Sequence, residues 1–181
     1  MLKYTKKFAR LFIILLLPRL LQAFPSGAVP PLVTLSGDSG GRTDGSPWSS
    51  GEIKDRVYCL LYVDPDERDL NKPLFDALEK AAFPISQYGF FAVINLQATL
   101  LPNFIIERML KKSQKRHPRA VYVRDKKRVL VLKWGLADNN SDVLLFNRQG
   151  LLLFRKDGML TGTEIDSVLG LIRANIALPA R

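Results

Sequence analysis

Seven consecutive residues, Val57-Tyr58-Cys59-Leu60-Leu61-Tyr62-Val63, carry no charge and no turn former. A strand points alternate side chains to opposite faces, so a run that is apolar at every position must be covered on both sides. A second run, apolar except for Asn95, spans residues 90–96. Between the two, Leu70, Leu74, Phe75, Leu78 and Ala82 recur at helical spacing. Pro73 fits only the first turn of that helix, and Pro84 marks its end. Strand, helix and strand in this order form a parallel βαβ unit, which confines the chain to an α/β architecture.

The second half extends the pattern. Asn103 is placed to cap a helix whose apolar face is Ile105, Ile106, Met109 and Leu110 and which fades before Pro118. Residues 120–123 and 129–132 flank the polar turn Arg124-Asp125-Lys126-Lys127 and are predicted as two short strands. Residues 143–146 and 151–154 flank Asn147-Arg148-Gln149-Gly150, a hairpin in which Gly150 supplies the positive φ. Thr161 and Glu164 form a capping box, followed by Ile165, Val168, Leu169, Ile172 and Ile176 on one helical face. Upstream, residues 24–31 are Pro-rich and extended, residues 32–35 suit an edge strand, and the Gly-, Ser- and Asp-rich residues 36–50 are expected as a turn or flexible loop. The expected domain is therefore residues 51–178, preceded by an extended segment at 24–50. The layout is thioredoxin-like: α/β, a central mixed sheet with a parallel βαβ start, and a C-terminal β-hairpin and helix, with helices packed on both faces. A chain of 181 residues, 47% of them hydrophobic, supplies enough core for it.

Residues 1–23 read as an address rather than as part of the fold. Lys3, Lys6, Lys7 and Arg10 precede a short apolar stretch at residues 11–17, closed by Pro18 and Arg19. Leu21-Gln22-Ala23 then offers a small residue for cleavage before Phe24, the plan of a secretory signal peptide. A spanning helix needs about 20 apolar residues, and Arg19 interrupts this run well short of that. The expected location is the periplasm, with no transmembrane span after cleavage. Five of the 27 basic residues and none of the 17 acidic ones lie in this leader, so the formal charge of +10 falls to +5 without it. A basic surface of that size suits contact with anions.

Gly27-Ala28-Val29-Pro30-Pro31 resembles the Gly-x-x-Val-Pro-Pro opening of the YtfJ family, one residue shorter between Gly and Val. The segment from Asp142 to Glu164 resembles that family's closing hairpin and helix, and the strand around Cys59, the helix from Asn71, the strand around Val93 and the Lys-rich stretch before Pro118 match by pattern. The resemblance implies a small periplasmic protein with a thioredoxin-like fold. It implies no particular activity.

Thioredoxins carry Cys-x-x-Cys after the first central strand, where the helix N-terminus stabilises a thiolate. Here that place reads Asp64-Pro65-Asp66-Glu67-Arg68-Asp69. The cis-proline that faces the thiols in that fold is replaced near Asn140-Ser141-Asp142, with Ser141 the closest match. Cys59 is the one cysteine, so dithiol exchange within the chain and multi-cysteine metal sites are excluded. Mid-strand, it reads as a buried thiol; the sharper alternative is a divergent single-cysteine thiol oxidoreductase, which needs exposure and a nearby cation.

Other candidates follow from charge. Asp64, Asp66, Glu67 and Asp69, with Ser141, could rim a ligand site beyond the strand ends of an open sheet. Oxygen ligands of this kind suit Ca²⁺, but the spacing is not that of an EF-hand loop, and acids here also favour the positive end of the next helix. Basic residues crowd positions 108–128, with Lys111, Lys112, Lys115, Arg116 and Arg119 as candidate contacts to an anion or lipid headgroup. Nucleic acid is not expected as the partner of an exported protein whose basic run lacks interleaved aromatics. His117 has no histidine partner for zinc, and no Gly-x-Ser-x-Gly elbow is present for a triad. Trp48 and Trp134 are expected to pack. No cofactor is implied. The sequence thus points to a non-catalytic binding or accessory module whose partner is an envelope protein or an anionic surface.

Overall fold

The computed structural model describes residues 24–176; the expected leader, its cleavage point and the last two residues of the expected domain lie outside the described residues. A six-stranded mixed sheet forms the centre. Its strands are β2 (Gly40–Arg42), β4 (Val57–Val63), β5 (Tyr88–Asn95), β6 (Ala120–Asp125), β7 (Ser141–Phe146) and β8 (Leu152–Asp157), in the spatial order β2-β6-β5-β4-β7-β8. β4, β5 and β6 run parallel; β2, β7 and β8 pair antiparallel with their neighbours. All seven residues of β4 and all eight of β5 are buried, as two covered faces require.

Alternation along the strands sorts the core into two layers. Val57, Cys59, Leu61 and Val63 point to the face covered by α1 (Lys72–Ala81), α2 (Asn103–Arg116) and α4 (Gly162–Ile176), through Leu74 and Leu78, Ile106 and Leu110, and Val168 and Ile172. Tyr58, Leu60 and Tyr62 point to the other face, covered by α3 (Val129–Trp134) and by a two-stranded sheet of β1 (Thr34–Leu35) and β3 (Trp48–Ser49). Trp48 and Trp134 are fully buried in this second layer, Trp48 edge-on to Phe91 and Trp134 donating from its indole to the Pro31 carbonyl at 2.8 Å. Each aliphatic side chain fully buried in this way contributes about 1.5–3 kcal/mol.

The hairpin turn and the last cap follow the sequence. Gly150 has φ +77°, and a Cβ there would stand 2.7 Å from the Ile53 carbonyl oxygen. Thr161 and Glu164 exchange capping hydrogen bonds, and Lys156 with these bonds draws the Glu164 carboxyl down to about 2.

Four expectations are corrected. Residues 129–132 form α3 rather than a strand. Asp125 decides this: its carboxylate accepts from the amides of Lys127, Val129 and Leu130, which holds the chain in a helical turn. Residues 36–50, expected as a loop, contain β2 and β3. β2 reaches the sheet edge because Gly40, at φ +134°, lets it close on β6; a Cβ there would lie 1.8 Å from the Arg124 carbonyl oxygen. Residues 32–35 give only the short β1, which pairs with β3 outside the main sheet. Asn103 is the first residue of α2 and makes no capping bond; Pro102 stands at the cap position.

Candidate functional site

Cys59 sits in the middle of β4 with no exposed surface, between Phe90 of β5 and Leu145 of β7 in the ladders. Burial pushes its thiol up to about 12, weakly offset by the nearby Tyr88 hydroxyl. At neutral pH the thiol therefore stays protonated, and the thiolate is the reactive form.

The strand ends beyond β4 are closed by structural bonds. Asp64 is buried; its Oδ2 accepts from the Asn140 amide at 2.7 Å, and the Asp64 amide donates back to the Asn140 carbonyl at 3.0 Å. Burial raises its carboxyl to about 6. Ser141 is buried too, and its hydroxyl is taken by the Asn71 side chain. Asp66 and Asp69 are exposed, Asp66 accepting from the Thr99 hydroxyl and Asp69 paired with Arg68. The five expected rim residues therefore do not converge: Asp64 and Ser141 face inward, while Asp66, Glu67 and Asp69 sit on the outer turn. Among the described residues, no group of three His, Cys, Asp or Glu side chains is placed to hold a metal ion.

Next to this turn lies a cleft of about 450 Å³ between α1 and α2. Its floor is the sheet face of Leu61, Val63, Phe90, Ala92 and Ile94; Phe75 of α1 and Met109 of α2 face each other across it. His117 closes one end. Its Nδ1 lies 2.6 Å from Glu79 Oε1, and its ring meets Phe75 edge-on at 4.9 Å, so the end of α2 is tied to α1. Of the expected rim residues only Asp69 borders this cleft. The apolar faces of α1 and α2 are legible in residue spacing, but the gap is not, because it comes from how far apart two helices settle on one sheet.

The basic stretch is divided by its partners. Arg119 donates to the Phe83 carbonyl. Arg124 is nearly buried, pairs with Glu107 at 2.7 Å and bonds the backbone of β2 at Gly41 and Arg42. Arg128 pairs with Asp138. Lys111, Lys112, Lys115 and Arg116 remain exposed on α2, without ion pairs among the described residues.

Residues 42–175 match the family described as "Bacterial protein of unknown function (YtfJ_HI0045)". The chain belongs to this YtfJ family. It is 26% identical over 137 residues to an uncharacterized protein of Haemophilus influenzae, covering 74% of each chain. It is 24% identical over 129 residues to uncharacterized protein YtfJ of Escherichia coli, covering 70% of each. In three dimensions it is similar to a thiol peroxidase from Chromobacterium violaceum, with a TM-score of 0.61 at 10% identity, covering 84% of this chain and 88% of that one. It is also similar to a thioredoxin-like superfamily protein, with a TM-score of 0.62 at 12% identity, covering 85% of this chain and 100% of that one, a likeness that establishes the fold as thioredoxin-like in a YtfJ family member with a single cysteine.

Proposed function

We propose that this YtfJ family member is an exported protein of the periplasm and that it binds a ligand or partner instead of carrying out thiol chemistry. The carrying observation is Cys59. The chain's single sulfur nucleophile stands mid-strand with no exposed surface, and an acidic turn occupies the place where this fold holds reactive thiols. The α1/α2 cleft, with its apolar floor, is the site we assign to the ligand. Export rests on the leader pattern of residues 1–23, and the absence of a spanning helix among the described residues is consistent with it. The rival reading, a single-cysteine oxidoreductase, requires the strand to open before Cys59 can meet a substrate.

Two measurements on protein recovered from cells expressing the full chain test the proposal. N-terminal sequencing should begin at or near Phe24. Titration with an aromatic disulfide reagent near pH 7 should leave Cys59 unmodified for about an hour in native buffer and modify it within minutes in denaturant. Rapid native labelling would put redox catalysis first.

A further inference from the structure

We infer that the outward side of α2, with the loop entering it, docks on a bilayer surface rich in anionic phospholipid. Four bulky apolar residues are exposed within six positions: Leu100 fully, Phe104 at 69%, Leu101 at 39% and Ile105 at 37%. Of the other exposed large apolar residues among those described, Ile85, Leu132 and Met159 stand singly, and Val29 and Leu32 make only a smaller pair in the N-terminal segment. Isolated exposed apolar residues are ordinary, but a contiguous group calls for an explanation.

The helix continues this group with charge. Phe104, Arg108, Lys111 and Lys115 follow one another at spacings of four, three and four, which places them along one side. Lys112 lies beside them, and Phe104, Arg108, Lys111, Lys112 and Lys115 border one shallow surface depression. None of these four cations has an ion pair among the described residues, and the acid within the same stretch, Glu107, is held by Arg124. An apolar tip that can enter the headgroup boundary, beside a row of free cations that meet phosphates, is the arrangement by which a helix lies on an anionic membrane. Cations alone would serve any polyanion. The exposed Leu100, Leu101, Phe104 and Ile105 single out a partner with an apolar interior beneath its charge.

This inference rests on the proposed export, which places the protein opposite membrane leaflets. The test is co-sedimentation of the cell-processed protein with vesicles of phosphatidylcholine, with and without about one-third phosphatidylglycerol, at low and high salt. Binding is expected with phosphatidylglycerol at low salt, to be lost at high salt, and to be absent on phosphatidylcholine alone. Each cation near such a surface contributes about fivefold, so K111Q/K115Q should weaken binding roughly twentyfold or more. F104S should weaken it several-fold while leaving its salt dependence unchanged. Both sites are exposed, and thermal melting checks that the variants remain folded. Indifference to phosphatidylglycerol, equal binding to both vesicle types, or binding that neither variant alters would overturn the inference. So would salt-dependent dimerisation abolished by F104S without vesicle binding, which would assign the surface to a second copy of the chain. An uncleaved leader would signal failure of the export reading, whereas a correctly cleaved protein that ignores vesicles would signal failure of docking alone.

Discussion

Asn71 Nδ2 donates to Ser141 Oγ at 3.0 Å, joining the start of α1 to the start of β7. The same amide group donates to the Gly158 carbonyl at 3.0 Å, and Asn71 Oδ1 accepts from the Leu160 amide at 3.0 Å. One buried side chain thus ties together a helix, a strand and the loop into α4. At this end of the sheet the amide and hydroxyl groups of Asn71 and Ser141 are spent on one another and on nearby backbone, while Asp64 Oδ1 and both Asp142 carboxylate oxygens are buried without a hydrogen-bond partner among the described residues.

Asn71→Ala should therefore be among the more damaging single changes at this end of the sheet. It leaves the buried Leu160 amide and the half-buried Gly158 carbonyl without their partner, at a cost of about 2–4 kcal/mol. Ser141→Ala removes one hydroxyl and should cost about 1 kcal/mol. Urea unfolding followed by tryptophan fluorescence reads both, since Trp48 and Trp134 are fully buried. Equal effects from the two variants would show that Asn71 does not act as the common anchor.

Asp125 plays a comparable part on the other face. Its Oδ2 accepts from the Tyr62 hydroxyl at 3.2 Å and from the Leu130 amide at 2.9 Å, while Oδ1 accepts from the Val129 amide at 2.8 Å. Asp125→Ala strips α3 of its cap and should cost about 2–4 kcal/mol. Asp125→Asn keeps one accepting oxygen and should cost about half as much. Hydrogen exchange should show amides 129 and 130 losing protection first in both variants. Protection unchanged in Asp125→Ala would mean that Leu130 and Trp134 hold α3 by packing alone.

This residue also shows where the sequence stopped being legible. Val57–Val63 was readable because a run apolar at every position has one strand solution. Val129-Leu130-Val131-Leu132 has the β-branched alternation of a strand, yet it is helical, because the deciding group is a side chain four residues upstream that is itself fixed by Tyr62 from β4. β2 was hidden for a related reason. Its two glycines look like loop chemistry, and only the approach of β6 shows that Gly40 is needed to make the pair. At the candidate site, Cys59 could be placed from its neighbours in sequence. The sorting of the basic stretch could not, since Glu107, Asp138 and the Phe83 carbonyl reach it from separate elements.

Asp142 predicts a pH dependence. It is fully buried and stands opposite Asp157 in the β7–β8 ladder; burial, reinforced by the second carboxyl, raises its pKa well above the usual carboxylate range. The folded state therefore holds a proton that the unfolded state releases near pH 4. Stability contributed by that proton is complete below about pH 4 and declines as pH rises towards the raised folded value. Asp142→Asn cannot ionise and should flatten this decline. Relative to the parent it should gain about 1–3 kcal/mol between about pH 5 and pH 9, measured by urea unfolding at each pH. A parent whose stability does not fall over that interval would show that Asp142 ionises without cost.

The α1/α2 cleft gives the most direct check on ligand binding. A volume of about 450 Å³ over an apolar floor should admit an aromatic anion such as anilinonaphthalene sulfonate, with enhanced fluorescence in the native state. Met109 is half-buried on the α2 wall, so Met109→Trp narrows the space from that side. That variant should bind the probe about tenfold more weakly, a loss of about 1.4 kcal/mol. Two controls separate the cleft from the surface. Phe104→Ser alters the exposed patch beside α2 and should leave the bright native signal in place, as should Leu132→Ser on the opposite side of the sheet. If Phe104→Ser removes the signal and Met109→Trp does not, the probe sits on the exposed patch and the cleft is closed to ligands of this size.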